Sequence, residues 1–291
     1  VYTMGRDVGG GKDVVYCFSD SPAATNPAAP LWAYSYTAIQ QLGGSANQGL
    51  YVGTKSAPTI DGNEIYTFSH GGRLTCWDKV TGTNIWYKDL AMTPWYGYAS
   101  SPLIEGNLVI VNAGGQGVAI DKTHPGAHNV VWGTPDNNNY GHASAFAFTR
   151  NAQRTVVVFG RSTVWGLDPP TGTILWNYNY ADNYSIADPI IYNDRIWISR
   201  GYGAGSKVIE LTSSQTMLTN TVWSGVQMCN KENCSVLYSG YVYGVSESGT
   251  GLRCVDFNTG AIAWTQTGFG SESAVMIAGD ELVVMTGQDS G

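Results

Sequence analysis

Charged residues are scarce in this sequence. Only 13% of the 291 residues are Asp, Glu, Lys or Arg, and the formal net charge is −7. Proteins that bind nucleic acid or anionic lipid through electrostatic attraction carry a basic face or a run of Lys and Arg. The composition therefore argues against a nucleic acid partner and against a polybasic membrane patch.

Long apolar runs and several common catalytic motifs are also missing. No stretch approaches the ~20 apolar residues that a membrane-spanning helix needs, so no transmembrane span is predicted. No G-x-S-x-G nucleophile motif occurs. The glycine-rich stretch from Gly5 to Asp13 differs from a phosphate-binding loop, because Asp13 stands where that loop needs Ser or Thr and strand-like sequence flanks it.

Cysteine (5) and histidine (4) are few, which limits metal chemistry. Cys229 and Cys234 are spaced so that they could close a disulfide in an oxidising compartment or supply two metal ligands. No second Cys/His pair stands at a matching spacing, so no metal site is predicted. A disulfide and two free thiols stay open as alternatives for this pair.

Glycine and large aromatic residues are abundant. The sequence has 37 Gly, 18 Tyr and 10 Trp. Such a composition favours a turn-rich, aromatic-packed β protein over a helical one. A chain of this length can bury a large core, about 75% of the surface that it exposes when unfolded.

One motif organises the sequence. It reads D-x-x-T-G-x-x-x-W and occurs as Asp78–Trp86, Asp168–Trp176 and Asp256–Trp264. A strand-like run precedes each Asp. The Asp and Thr side chains can accept hydrogen bonds within a tight turn, and Gly tolerates a positive φ. The motif therefore predicts a β-hairpin whose second strand carries the Trp.

The tryptophans that close these hairpins recur about every 45 residues, and each follows three shorter strand-like segments joined by Gly-bearing turns. Four strands in a repeat of about 45 residues are typical of β-propeller blades and not of helical solenoids or leucine-rich repeats. We predict that these tryptophans dock neighbouring blades. The series is Trp32, Trp86, Trp132, Trp176, Trp223 and Trp264.

The predicted fold is an all-β propeller of four-stranded antiparallel blades, a single domain over residues 1–291. About seven blades are represented, because the first lacks its innermost strand and the last lacks its outer two. The sequence is thus expected to form part of a larger ring. The approximate blades are 1–38, 57–91, 99–133, 143–178, 187–224, 235–266 and a partial one at 274–291.

Small residues recur two positions before the Asp of each turn. Because small side chains permit close approach, this pattern predicts that another backbone packs against the third strand of each blade. The residues at this position are Cys76, Ala119, Gly166 and Cys254, and Cys17 stands in the matching place of the first unit.

The turn motif, together with first hairpins such as Ser56 to Asn63 and Ser101 to Asn107, resembles the repeat of the PQQ-like (pyrroloquinoline-quinone-like) β-propeller superfamily. That superfamily includes quinoprotein alcohol dehydrogenases and the non-catalytic outer-membrane assembly lipoprotein BamB. The likeness covers nearly the whole sequence. It implies an eight-bladed ring and a bacterial protein that is exported to the periplasm or the cell exterior.

The resemblance also implies what a quinoprotein site would need. In the dehydrogenases a vicinal Cys-Cys pair lies over the quinone, a Trp lies beneath it, and Glu, Asn and Asp surround a Ca²⁺ ion. This sequence has no Cys-Cys dipeptide and no C-x-x-C-H haem attachment motif. No cofactor is predicted. PQQ with Ca²⁺ belongs only to the alternative function, a quinoprotein-type alcohol dehydrogenase or another propeller enzyme.

The connectors, the segments that lead into the first strand of each blade, carry aromatic rings, amides and carboxylates. In a propeller they reach the mouth of the central channel, and such residues suit a protein partner or a carbohydrate. The open alternative is that the rings plug the axis and cap the blades. The candidate ligand-binding residues are Trp95, Tyr96, Tyr98, Asn139, Tyr140, His142, Asp182, Tyr184, Asp188 and Glu272.

Asp182, Asp188 and Glu272 could also pair across the channel for acid–base or glycosidic chemistry. A sequence does not give the distance between carboxylates on different blades, so no catalytic residue is predicted. The predicted function is a non-catalytic, BamB-like binding or scaffolding domain. Its protein or carbohydrate partner is expected on the channel face or along the blade-edge loops.

Overall fold

The computed structural model describes twelve stretches of the chain, and within them the chain forms strands and no helix, hence no helix that could cross a membrane. Trp95, Asp182, Tyr184 and Glu272 lie outside the described residues. The described stretches are 1–7, 12–21, 29–37, 54–90, 96–123, 127–136, 138–180, 186–212, 216–231, 233–247, 251–271 and 273–286.

The strands follow one another in seven groups along the chain. The first three groups are β1 (Tyr2–Asp7), β2 (Lys12–Phe18) and β3 (Pro30–Tyr36); β4 (Thr59–Asp61), β5 (Glu64–Phe68), β6 (Arg73–Asp78) and β7 (Asn84–Asp89); and β8 (Leu103–Glu105), β9 (Leu108–Val111), β10 (Val118–Asp121) and β11 (Val130–Trp132). The next two are β12 (Phe146–Arg150), β13 (Gln153–Phe159), β14 (Thr163–Leu167) and β15 (Ile174–Asn179); and β16 (Ile190–Tyr192), β17 (Arg195–Arg200), β18 (Gly205–Glu210) and β19 (Thr221–Gly225). The last two are β20 (Val236–Tyr238), β21 (Tyr241–Ser246), β22 (Gly251–Asp256) and β23 (Ile262–Gln266); and β24 (Ala274–Ala278) with β25 (Glu281–Met285).

Each group forms its own sheet, in which neighbours along the chain pair. Among the described residues five sheets have four strands, the first has three and the seventh has two. In the first sheet Cys17 on β2 pairs with Trp32 on β3, just as Cys76 pairs with Trp86 in the second sheet. Within the described ranges, the first sheet thus has no counterpart of the innermost strand and the seventh has only its first two strands, as the sequence predicted.

The chain packs into two compact units. Unit one comprises Val1–Thr149, Arg154–Arg161 and Leu167–Thr173. Unit two comprises Arg150–Gln153, Ser162–Gly166 and Ile174–Gly291. A single domain over the whole chain stays a prediction.

Each repeated Trp lies on the last strand of its sheet, as predicted, and in the first, second, third and sixth sheets it pairs with the residue that was expected to be small. The pairing shifts by one residue directly after this contact, which is a β-bulge that increases the local twist. The strand partners are Cys17–Trp32, Cys76–Trp86, Ala119–Trp132, Val208–Trp223 and Cys254–Trp264.

At Gly166 the reason predicted for the small residue was wrong. The position makes room for an indole ring across the strand pair, because a Cβ there would lie 2.1 Å from a ring atom of Trp176. At Gly166 the constraint thus acts within the sheet.

Three of the tryptophans also reach the D-x-x-T-G turn of the next sheet. The indole Nε1 of Trp132 donates a hydrogen bond to Pro169 O at 2.7 Å, and that of Trp223 donates to Phe257 O at 2.9 Å. Trp32 donates to Lys79 O at 3.3 Å. In every case the acceptor is the residue after the turn Asp.

The turn glycines lie directly under these rings. Gly82, Gly172 and Gly260 have φ of +71°, +69° and +74°. A Cβ on any of them would lie 2.6–2.7 Å from an atom of the indole, closer than carbon atoms pack. Only glycine supplies both the left-handed backbone and the space. The turn of the motif is therefore a contact point between neighbouring sheets, and we call this contact of indole and turn glycine the docking device.

The turn is stabilised from within by its Asp. Asp78 Oδ1 accepts hydrogen bonds from the backbone N–H of Val80 (2.9 Å) and Thr81 (2.7 Å) and from the Thr81 hydroxyl (2.9 Å). These bonds, above all those from Thr81, favour the charged carboxylate and lower the pKa of Asp78. Asp256 accepts the same two backbone bonds in the sixth sheet.

Within the described parts of the chain, other tryptophans of the series make different contacts. Trp86 stacks on His128, with ring centroids 4.2 Å apart and an interplanar angle of 10°, where the turn of the third sheet departs from the motif. Trp264, on the sixth sheet, is 41% exposed. A tryptophan thus makes both contacts, the hydrogen bond and the packing on glycine, where the next sheet carries an intact D-x-x-T-G turn.

Candidate functional site

The described connector residues of unit one lie at the end of the sheets that carries the turn between β5 and β6. The backbone N–H of Tyr98 donates to the carbonyl of His70 in that turn at 2.9 Å. Tyr98 and Tyr140 are fully buried, with ring centroids 5.3 Å apart in an edge-to-face arrangement. Both therefore form a buried layer at this end of unit one, which we call the floor.

Two further rings lie on that floor. Tyr96 and His142 are half-buried, and their ring centroids are 6.4 Å apart. The His142 ring also lies edge-to-face with Tyr140 at 5.3 Å. The Tyr140 hydroxyl accepts a hydrogen bond from the backbone N–H of Tyr96 at 3.3 Å. Contacts with the buried Tyr140 thus hold the half-buried Tyr96 and His142 in place.

Lys55 adds a cation that the sequence reasoning missed. Its ammonium donates a hydrogen bond to the carbonyl of Tyr96. The side chain is exposed, yet surrounding atoms desolvate the ammonium and lower the pKa of Lys55 to about 8. The ammonium therefore keeps contact with water. We call Lys55, Tyr96, Tyr98, Tyr140 and His142 the connector cluster.

The electrostatics of the connector cluster favour a neutral imidazole. Burial, and secondly the Lys55 ammonium, lower the pKa of His142 to about 4. At neutral pH His142 is therefore uncharged and able both to donate and to accept a hydrogen bond. The cluster presents one cation, one neutral imidazole and aromatic edges.

Asn139 lies apart from these rings. Its side chain is exposed, and its Nδ2 donates to Asp136 Oδ2 at 2.6 Å. Its carbonyl accepts from the backbone N–H of Arg161 at 3.0 Å. Asn139 therefore stabilises the connector loop, and a binding role for it stays a prediction.

A buried amide anchors the connector that carries His142. Asn112 Nδ2 donates to Ala143 O at 3.0 Å and to Phe159 O at 2.6 Å, and its Oδ1 accepts from the Gly141 N–H at 3.2 Å. The Asn112 side chain is fully buried. These bonds join the third sheet, the connector and β13 within unit one, so the connector cluster has a preformed support.

In unit two the structure brings Asp188 close to Cys234. The backbone N–H of Asp188 donates to the Cys234 sulfur at 3.3 Å. Burial, and then the Asp188 carboxylate, raise the pKa of the Cys234 thiol to about 11, although the side chain keeps solvent contact. A nearby network of amides and hydroxyls is satisfied internally, with Ser235 Oγ and Asn233 Oδ1 each 2.8 Å from the Asn230 side chain. Asp188 thus lies beside a thiol, and its ligand role stays a prediction.

All five cysteines are free thiols in the structure, including Cys229 and Cys234. Only Cys234 is exposed. We expect Ellman's reagent to modify one thiol of the native protein, and slowly at neutral pH because the raised pKa leaves little thiolate. All five should react in denaturant. A native protein with no reactive thiol and two fewer thiols in denaturant would show instead that Cys229 and Cys234 are bonded.

The described residues do not fit a Ca²⁺–quinone site. No three His, Cys, Asp or Glu side chains among them converge to hold a metal ion. Cys17, Cys76 and Cys254 face indole rings in separate sheets, and no two cysteines are adjacent in sequence. The connector cluster offers a cation and neutral donors in place of the carboxylates that Ca²⁺ prefers.

The family follows from sequence comparison. The family described as outer membrane protein assembly factor BamB matches residues 24–266. The chain belongs to this BamB family of PQQ-like propellers. No curated protein sequence matches it.

Solved structures agree on the fold. BamB from Moraxella catarrhalis superposes with a TM-score of 0.62 at 18% identity, covering 90% of this chain and 69% of that one. The computationally designed protein Ika8 gives 0.54 at 14% identity, covering 86% and 71%. The β-propeller domain of Cps50 (Swd1) from Myceliophteria thermophila gives 0.57 at 9% identity, covering 94% and 89%. At these identities the likeness shows the β-propeller fold and nothing about activity.

Proposed function

We propose that this BamB-family propeller is a non-catalytic binding domain that holds a protein partner at the connector cluster. The observation that carries the proposal is the cluster itself: an exposed Lys55 ammonium beside the half-buried rings of Tyr96 and His142, on a floor of fully buried tyrosines. Rigid aromatic rings with one cation supply contact area at a low entropic cost.

The partner chemistry follows from these groups. Lys55 suits a carboxylate or a carbonyl oxygen, and the ring edges suit apolar and aromatic side chains. An extended peptide segment offers both. The family is named for an outer membrane protein assembly factor, which supports a protein over a carbohydrate as the partner and a periplasmic or extracellular location in a bacterium. We infer that no cofactor takes part.

The test compares binding of three probes to the purified protein. The probes are peptides that copy single β-strands of outer membrane barrels, a panel of soluble oligosaccharides, and PQQ with Ca²⁺. We expect saturable binding of peptides that carry an acidic residue. Lys55→Gln should weaken it by about tenfold, because a charge-assisted hydrogen bond contributes roughly 1.5–3 kcal/mol. Tyr96→Ala should weaken it by a similar factor, because it removes the contact area of an aromatic ring.

Lys12→Gln is the matched control, since Lys12 is also exposed in unit one but lies on β2. It should leave the affinity unchanged. Binding of oligosaccharides alone would make the partner a carbohydrate. Saturable binding of PQQ with Ca²⁺ and alcohol oxidation would overturn the non-catalytic reading in favour of an oxidoreductase. Peptide binding that neither Lys55→Gln nor Tyr96→Ala weakens would show that the site lies elsewhere.

A further inference from the structure

A carboxylate and an imidazole meet between the first two sheets of unit one. Asp13 lies on β2, and His70 lies in the turn between β5 and β6. The His70 Nδ1 and Asp13 Oδ1 atoms are 3.8 Å apart, and the two side chains are 2% and 1% exposed. Ionisable groups are rarely so deeply buried, and their charge states then affect stability directly.

Polar and charged groups surround this pair. Arg6 on β1 and Tyr36 on β3 face Asp13, while Arg6 and Lys55 face His70. His70 Nδ1 and Arg6 Nε are buried without a hydrogen-bond partner, whereas the Tyr36 hydroxyl lies close enough to Asp13 to favour its carboxylate form. Tyr36 in turn faces Thr67 and Arg73. The interface between the sheets thus encloses an acid and a base, and burial disfavours the charged form of each.

We propose that Asp13 and His70 act as a proton-compensating pair, which takes one proton onto Asp13 in the folded protein in place of the proton that His70 binds in the unfolded chain. The pair thereby keeps the docking of the first sheet on the second nearly independent of pH in mildly acidic conditions. Neither residue belongs to the connector cluster, so the inference does not depend on the proposed function.

The directions of the two pKa shifts support this exchange. Burial raises the pKa of Asp13 from 3.8 to about 6, against the opposing effects of Arg6 and Tyr36. Burial, and then Lys55 and Arg6, lower the pKa of His70 from 6.5 to about 4. Near pH 5 the unfolded chain therefore carries the proton on His70 and the folded protein carries it on Asp13.

The sign of each contribution follows from proton linkage. The raised pKa of Asp13 makes the folded state bind its proton more tightly than the unfolded state, so stability rises as pH falls from about 6 to 4. The lowered pKa of His70 does the reverse, so stability falls as pH falls from about 6.5 to 4. Together the two slopes oppose each other over one pH window.

The experiment measures the unfolding equilibrium constant by denaturant titration between pH 7 and 4. In Asp13→Asn only the His70 contribution remains, so the constant should rise up to about 100-fold as pH falls. In His70→Gln only the Asp13 contribution remains, so it should fall by a similar factor. The change of the unfolding constant with pH should lie between these two extremes both in the wild type and in the double variant. Asp20→Asn, which removes an exposed carboxylate near the end of β2, is the control and should follow the wild type.

Single variants whose slopes are parallel to that of the wild type would overturn the proposal. An NMR titration of the wild-type histidine ring signals gives a second measurement that needs no variant to fold. The His70 signal should show no protonation above about pH 5, and an Asp13 carboxyl carbon signal should titrate near pH 6. A His70 ring that titrates near 6.5 would contradict the pair.

Discussion

Replacing Gly172 by alanine should destabilise unit one by roughly 3 kcal/mol. The φ of +69° strains any residue with a Cβ, which costs about 1–2 kcal/mol. The new Cβ would also lie 2.7 Å from the Trp132 ring, so the indole must move, at a cost of about 1–3 kcal/mol for overpacking. That movement threatens the hydrogen bond to Pro169 O. Chemical denaturation of the two proteins measures the difference.

Gly106→Ala is the matched control. Gly106 also lies in unit one with a positive φ (+57°), but its Cβ would meet no atom within 4 Å. It should cost only about 1 kcal/mol, the backbone contribution alone. Equal losses at the two positions would show that the indole contributes nothing to the requirement for glycine.

Asn112→Ala should be about as damaging, at roughly 3–5 kcal/mol. The substitution removes three side-chain hydrogen bonds and leaves the Gly141 N–H and the Ala143 and Phe159 carbonyls without these partners inside the protein. Each buried group left unsatisfied costs about 1–3 kcal/mol, and these costs are not additive. Thermal and denaturant unfolding should both report the loss.

Asn139→Ala serves as the control, because Asn139 is exposed in the same connector and its side chain bonds only to Asp136 at the surface. A change of less than about 1 kcal/mol is expected there. If Asn112→Ala unfolded as late as Asn139→Ala, the buried amide would not be the anchor of the connector. Asn112→Ala should also weaken peptide binding, since it releases the segment that carries His142.

The repeat could be predicted from the sequence because its information is local. The turn needs Asp, Thr and Gly within five positions, and the Trp follows four residues after the Gly, so a single pattern contains both the hairpin and its docking group. The strand that carries Trp132 was found in this way although its own turn departs from the motif. The contact between the small residue and the Trp depends on strand register, which the local pattern does not contain. The reason predicted for the small residue at Gly166 was therefore wrong.

The site was less predictable because its members are distant in sequence. Lys55 shares no motif with the rings of the connector cluster. The buried pair outside the cluster is a similar case, because only the packing of the first two sheets brings Asp13 to His70. Conversely, the connector pattern did not distinguish the half-buried Tyr96 from the fully buried Tyr98, two residues away. Aromatic residues at a connector suit either a ligand or a core, and burial alone separates these roles.

The most direct test of the docking device is a double-mutant cycle between Trp132 and Gly172. The account predicts that Gly172→Ala costs roughly 3 kcal/mol in the wild type but only about 1 kcal/mol in a Trp132→Leu background, where no indole lies over the new methyl group, a coupling of about 2 kcal/mol. If Gly172→Ala costs the same in both backgrounds, the indole and the turn glycine are not coupled, and the sheets of this propeller are held together by something else.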